Sequence, residues 1–95
     1  MKTIQDHLSQ AELLAMLAEE AAELSQAALK LRRVLTGTNP TPVGANEAIA
    51  RLIEEIADVD LCELQINCVD WDKVGEISKQ KKARWLVRLM ERGKL

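Results

Sequence analysis

Apolar residues recur at spacings of three and four through the first third of the chain. Leu14, Leu17, Ala21, Leu24, Ala28, Leu31 and Leu35 form one helical stripe. Nothing between Ser9 and Leu35 breaks a helix. Ser9 followed by Glu12 reads as a capping box, and Gly37 supplies a stop. Residues 36–45, TGTNPTPVGA, hold both prolines and two of the four glycines, so they are the one clear loop. A second helix is expected over about 46–68, with Asn46 as its cap. Its apolar positions Ile49, Leu52, Ile53, Ile56, Val59, Leu64 and Ile66 cover more than half its circumference, the mark of a central helix. A last helix over about 72–91 has Asp70 or Asp72 as its cap and stops near Gly93. The first eight residues, MKTIQDHL, predict either a short helix or an extended lead-in. The expected fold is all-α: an antiparallel helical bundle of about three to four helices in a single domain.

Composition adds two constraints. A chain of 95 residues makes a modest core, so burial of its apolar faces is expected to be completed by homo-oligomerisation. Trp71 and Trp85 are the only aromatics, which leaves the core to Leu, Ile, Val, Ala and Met and favours helices over a sheet. The net charge of −2 gives no long-range attraction to nucleic acid. Cys62 and Cys68 fall on different faces of one helix and are not expected to bridge, which fits a reducing cytoplasm. No leader and no apolar run long enough to span a bilayer are read, so no membrane partner is expected.

The candidate chemistry lies in two acidic clusters on two helices: Glu19-Glu20-Ala21-Ala22-Glu23 and Glu54-Glu55-Ile56-Ala57-Asp58. Glu20 and Glu23 are three apart, as are Glu55 and Asp58, so each pair is adjacent on its helix. Against the apolar stripe, Glu20 falls on the edge and Glu23 just outside it, while Glu19 points nearly opposite. Glu55 and Asp58 lie together beside Val59 and Cys62. Facing one another across a bundle, these pairs would put four carboxylates around one point. Such a group does not stay fully ionised without a cation. Hard oxygen donors suit Mg²⁺ or Mn²⁺, and magnesium characteristically also binds substrate phosphates. Glutamates on helix surfaces are common, however, and either cluster alone would read as a solvated face.

At these residues the chain resembles the MazG-like, all-α nucleoside triphosphate pyrophosphohydrolases. Their signature is E-E-x-x-E on one helix and E-x-x-D on another. It is matched here by Glu19-Glu20-x-x-Glu23 and Glu55-x-x-Asp58, within LAEEAAELSQAALKLRR and LIEEIADVDL. The stretch Lys81-Lys82-Ala83-Arg84-Trp85 is similar to the K-x-x-R-W that ends many small members. The resemblance covers about residues 13–89. It implies Mg²⁺-dependent hydrolysis of a nucleoside triphosphate between the α and β phosphates, with Glu20, Glu23, Glu55 and Asp58 as metal ligands and catalytic acids. Glu19 would be a secondary acid, outer-shell or merely exposed. The resemblance also implies a homodimer or homotetramer and a role in clearing surplus nucleotides. Asp60 and Glu63 depart from the pattern, since many members are apolar there. They either meet Arg32, Arg33 or Arg51 at a subunit interface, or Glu63 joins the site.

Other residues carry weaker signals. Lys81 and Arg84, also three apart, either hold phosphate oxygens or form a basic face that complements the helix dipole. Trp85, among Leu86, Val87 and Leu89, reads as core, and Trp71 is the better placed of the two to stack on a base. His7 reads as surface. Cys62 reads as packing, with its thiol pKa raised by the neighbouring carboxylates. Asn67 lies within reach of a sugar or base, and the loop residues 39–42 edge the pocket or simply stiffen a connection. Two alternatives stand beside the main expectation. Phosphoribosyl-ATP pyrophosphohydrolases share the helical architecture but carry an apolar D-L-L-Y-H-like stretch, where this chain has Asp58-Val59-Asp60-Leu61-Cys62. The other is a non-catalytic helical interaction module.

Overall fold

A computed structural model describes residues 3–38 and 43–94. Among them the chain is all-helical, with four helices: α1 (Ile4–His7), α2 (Gln10–Thr36), α3 (Ala45–Leu64) and α4 (Trp71–Glu91). Their ends are set by side-chain chemistry. The Asp6 carboxylate accepts from the backbone N–H and the hydroxyl of Thr3, at 2.7 and 3.0 Å, and starts α1. Ser9 Oγ accepts from the Glu12 N–H at 3.1 Å and donates to the Glu12 carboxylate, the capping box expected for α2. A cap of this kind contributes about 1 kcal/mol. Gly37 closes α2 at φ 64°, a left-handed conformation that only glycine adopts without cost, and its N–H reaches Arg33 O at 2.9 Å. Asp70, rather than Asp72, caps α4 by accepting from the Lys73 N–H. The far end of α4 closes with a second left-handed glycine, Gly93, with Lys94 N–H returning to Leu89 O.

Asn46 does not cap α3. The helix starts one residue earlier, with Gly44 at the N-cap and no side-chain bond there. It also ends sooner than expected, at Leu64, where the Gln65 N–H turns back to Cys62 O.

Among the described residues, α2 and α3 alone pack along one another, as an antiparallel hairpin. A clasp holds its open end: the Gln10 side-chain amide donates to Gln65 O at 3.1 Å and accepts from the Asn67 N–H at 2.8 Å. Gln5 adds a third bond, also to Gln65 O. The hairpin core is Leu13, Ala27, Ala48, Val59, Cys62 and Ile66. The buried seam of α2 is therefore rotated from the expected stripe: Leu13 and Ala27 are inside, while Leu14, Ala21, Ala28 and Leu35 are exposed. An alanine-rich helix presents a broad apolar arc, and the partner selects which part of it is covered.

Helix α4 stands apart. None of its residues is buried, and Trp85, expected in the core, is 64 % exposed. One hydrogen bond, from Trp71 Nε1 to Ile66 O at 2.8 Å, ties its start to the preceding linker. The radius of gyration is accordingly 17.4 Å. A compact domain of this length would have about 12 Å. Both cysteines are free thiols, Cys62 buried and Cys68 exposed. No helix of the described residues is long and apolar enough to cross a membrane.

Candidate metal centre

Each helix of the hairpin carries one glutamate inside its apolar seam. On α2 the inward line runs Leu13, Leu17, Glu20, Leu24 and Ala27, and on α3 it runs Ala48, Leu52, Glu55, Val59 and Cys62, each at helical spacing of three and four. Glu20 thus lies within the buried line rather than on its edge. Glu23 follows one turn later on the same side. One carboxylate oxygen from each of Glu20, Glu23 and Glu55 falls within 4.8 Å of the others.

The burial is real for Glu55, which is 2 % exposed. Its Oε1 accepts from Arg51 Nη2 at 2.8 Å, one turn earlier on α3. Among the described residues its Oε2 is buried with no donor beside it, and so is Glu20 Oε2; the Glu23 carboxyl lies close to both and becomes a partner only when a proton is shared. A buried polar oxygen without a partner costs free energy, and a buried charge costs more. Burial first, then the Glu23, Asp58 and Glu55 carboxylates, push the Glu20 pKa up. Burial likewise pushes the Glu55 pKa up, with Glu23 and Asp58 adding to it, while Arg51 opposes them. One guanidinium, itself more than half exposed, does not compensate this many carboxylates.

Two chemical states relieve the site: retained protons, or a bound cation. The donor set fits a hard divalent ion. At metal–oxygen distances of about 2.1 Å, octahedral ligand oxygens lie about 3 to 4.2 Å apart, so these side chains need to close only slightly.

Asp58 is exposed and lies outside the close group, though its charge is felt at Glu20, Glu55 and Cys62. The hairpin therefore brings together three of the four expected ligands and leaves the fourth at their margin. Glu19 and Glu54 are exposed, as helix geometry predicts. Lys81 and Arg84 are exposed on α4, which does not pack along the hairpin, so one chain does not fold them over the carboxylates. Burial, then the Glu20 and Asp58 charges, push the Cys62 thiol pKa up, which disfavours the thiolate. Asp60 is exposed and Glu63 half-buried, and among the described residues neither forms an ion pair within the chain. His7 is exposed. The loop residues 39–42 lie outside the described residues.

Two contributors escaped sequence reasoning. Arg51 pairs with Glu55 rather than with Asp60 or Glu63, and its i,i+4 spacing was the available signal. Gln10 holds the hairpin through two backbone groups far along the chain, for which no local signal exists. Comparison with family models, with curated proteins and with solved structures finds no match for this chain.

Proposed function

We propose that the chain is a magnesium-dependent nucleoside triphosphate pyrophosphohydrolase of the MazG-like type, releasing the nucleoside monophosphate and pyrophosphate. The observation that carries this reading is the pair of buried oxygens on Glu20 and Glu55 with no donor beside them, drawn from two helices into one carboxylate group with Glu23. A packed hairpin has no structural use for such a pair, and a divalent cation relieves it. Glu20, Glu23 and Glu55 hold the ion, with Asp58 joining them from its exposed position, and Mn²⁺ is the natural substitute. The bound metal supplies neutralisation of phosphate charge and a more acidic water. Glu23 and Asp58, both exposed, stand on the side from which substrate arrives. Glu19, a secondary acid in the family pattern, is exposed and stays outside the ion's ligands. Lys81 and Arg84 offset charge on the phosphates only when another copy supplies them, since within one chain α4 does not fold over the carboxylates. The working form is a homodimer or homotetramer in the cytoplasm, clearing surplus nucleotides.

The test is to incubate the protein with Mg²⁺ and a panel of nucleoside triphosphates and measure pyrophosphate. Glu55→Gln is expected to lower the rate by about 100-fold or more, since even supporting groups around a metal are worth 10–100-fold. No product from any triphosphate, or a rate indifferent to Glu55→Gln, overturns the assignment. Release from phosphoribosyl-ATP alone would move it to that enzyme class.

A second reading draws on α4, none of whose residues is buried: a non-catalytic helical interaction module, whose melting temperature would be unmoved by millimolar Mg²⁺ or Mn²⁺.

A further inference from the structure

Two helices each leave an apolar face uncovered. On α3, the side turned away from α2 carries Ile49, Ile53, Ile56 and Leu64, all exposed. Leu64 is 75 % exposed, a large aliphatic side chain in an open cleft that it lines with Asp60, Glu63 and Trp71 of the same chain. Asp60 and half-buried Glu63 interrupt this face at the same helical spacing. On α4, Val74, Trp85 and Leu89 share one side, with Lys81 and Arg88 along its flank, while Trp71 at the helix start is bonded to Ile66 O and lies beside the end of its own α3. The two helices are opposite in charge. Helix α3 carries six acidic residues and one basic, and α4 carries six basic and three acidic. Each has what the other lacks: an apolar line, and complementary charge beside it. Yet within one chain α4 does not pack along α3.

We propose that two copies of this chain exchange α4 helices, each α4 lying on the outer face of the other copy's α3. Asp60 and Glu63 then meet basic residues of the partner's α4, which accounts for acidic residues on an otherwise apolar face. A reciprocal pair makes the contact twice and so doubles the area buried. A stable interface needs about 800 Å² from each copy. Two helices per copy, α3 as acceptor and α4 as donor, are committed to it. A helix of 21 residues offers about 31 Å of contact length. The charges steer pairing and fix its register, while Trp85 and the isoleucines supply the hydrophobic contribution.

The proposal deepens the homo-oligomeric reading given above and is independent of the metal. Sedimentation equilibrium of the full chain is expected to show a dimer, or a multiple of it. Asp60→Lys with Glu63→Lys is expected to weaken the dimer at least tenfold, and so is Lys82→Glu with Arg88→Glu. The latter pair lies at exposed positions of a helix that supports no core, so its effect is not one of misfolding. Combining all four substitutions reverses both surfaces and is expected to restore the dimer. A monomer at about 100 µM overturns both this proposal and the oligomeric reading, and leaves the α4 face to a different partner. A dimer indifferent to the charge reversals, or one that the fourfold variant does not regain, overturns the exchange alone.

Discussion

The α2–α3 hairpin and α4 are similar in composition and opposite in circumstance. Each combines large aliphatic residues with many charges, and α2 and α4 each start at a side-chain cap. The hairpin covers one apolar seam and buries a glutamate inside it. Helix α4 covers nothing, although it carries two tryptophans and several large aliphatic residues. Amphipathicity alone therefore does not tell a helix where to pack. What separates the two is chain connectivity: a hairpin folds back on itself, whereas the linker before α4 is held by Gln10 and Trp71 in a path that leaves α4 clear.

The sharpest way to break the contrast is to remove a large side chain from each region. Leu13, 1 % exposed, is the most buried residue of the hairpin. Leu13→Ala is expected to cost about 3 kcal/mol or more in chemical denaturation. Trp85→Ala, measured at concentrations that keep the chain monomeric, is expected to change stability by about 0.5 kcal/mol or less. Equal costs would show that α4 is packed after all.

The next effect is confined to the hairpin. Mg²⁺ at a hundredfold excess over its Kd is expected to stabilise the fold by about 2.7 kcal/mol, read as a rise in melting temperature. Glu55→Gln should abolish most of that rise, and Lys81→Ala should leave it intact. A smaller stabilising contribution comes from the clasp. Gln10→Ala removes two long-range hydrogen bonds and is expected to cost about 1–2 kcal/mol, with faster amide exchange at Asn67.

The subtlest difference is in pH dependence. The Glu20 and Glu55 carboxyls titrate above the ordinary glutamate value. Between that value and their raised ones, the folded chain holds more protons than the unfolded chain. Stability of the metal-free protein therefore falls as pH rises through this interval. Below the ordinary value both states are protonated and the penalty is gone. Bound metal is expected to flatten the slope, and Glu55→Gln to reduce it. A metal-free protein that grows more stable over this interval would contradict the burial of the two acids.

Much of this was legible in the sequence, for reasons that can be stated residue by residue. The Ser9–Glu12 box, Gly37 and Asp70 act through neighbours three or four positions away, so spacing alone reveals them. The i,i+3 spacings of Glu20 with Glu23 and of Glu55 with Asp58 are equally local. What failed was non-local. The inward face of α2 is chosen by α3, which is why Leu13 rather than Leu14 is buried. Trp85 reads as core in a one-dimensional pattern, but core needs a covering surface, and the chain does not fold one over α4. The start of α3 departs from the local pattern because Asn46, a good capping residue, lies two positions after Gly44, which occupies the N-cap.

The two tryptophans have a practical consequence. The chain contains no Tyr and no Phe, so its near-ultraviolet absorption and emission come from two indoles alone. Trp71 is fixed by its bond to Ile66 O, and Trp85 lies open to water. Emission from Trp71 follows the linker, and emission from Trp85 follows whatever approaches α4. Replacing either indole with Leu turns the protein into a single-site optical probe, able to time assembly separately from the folding of the hairpin.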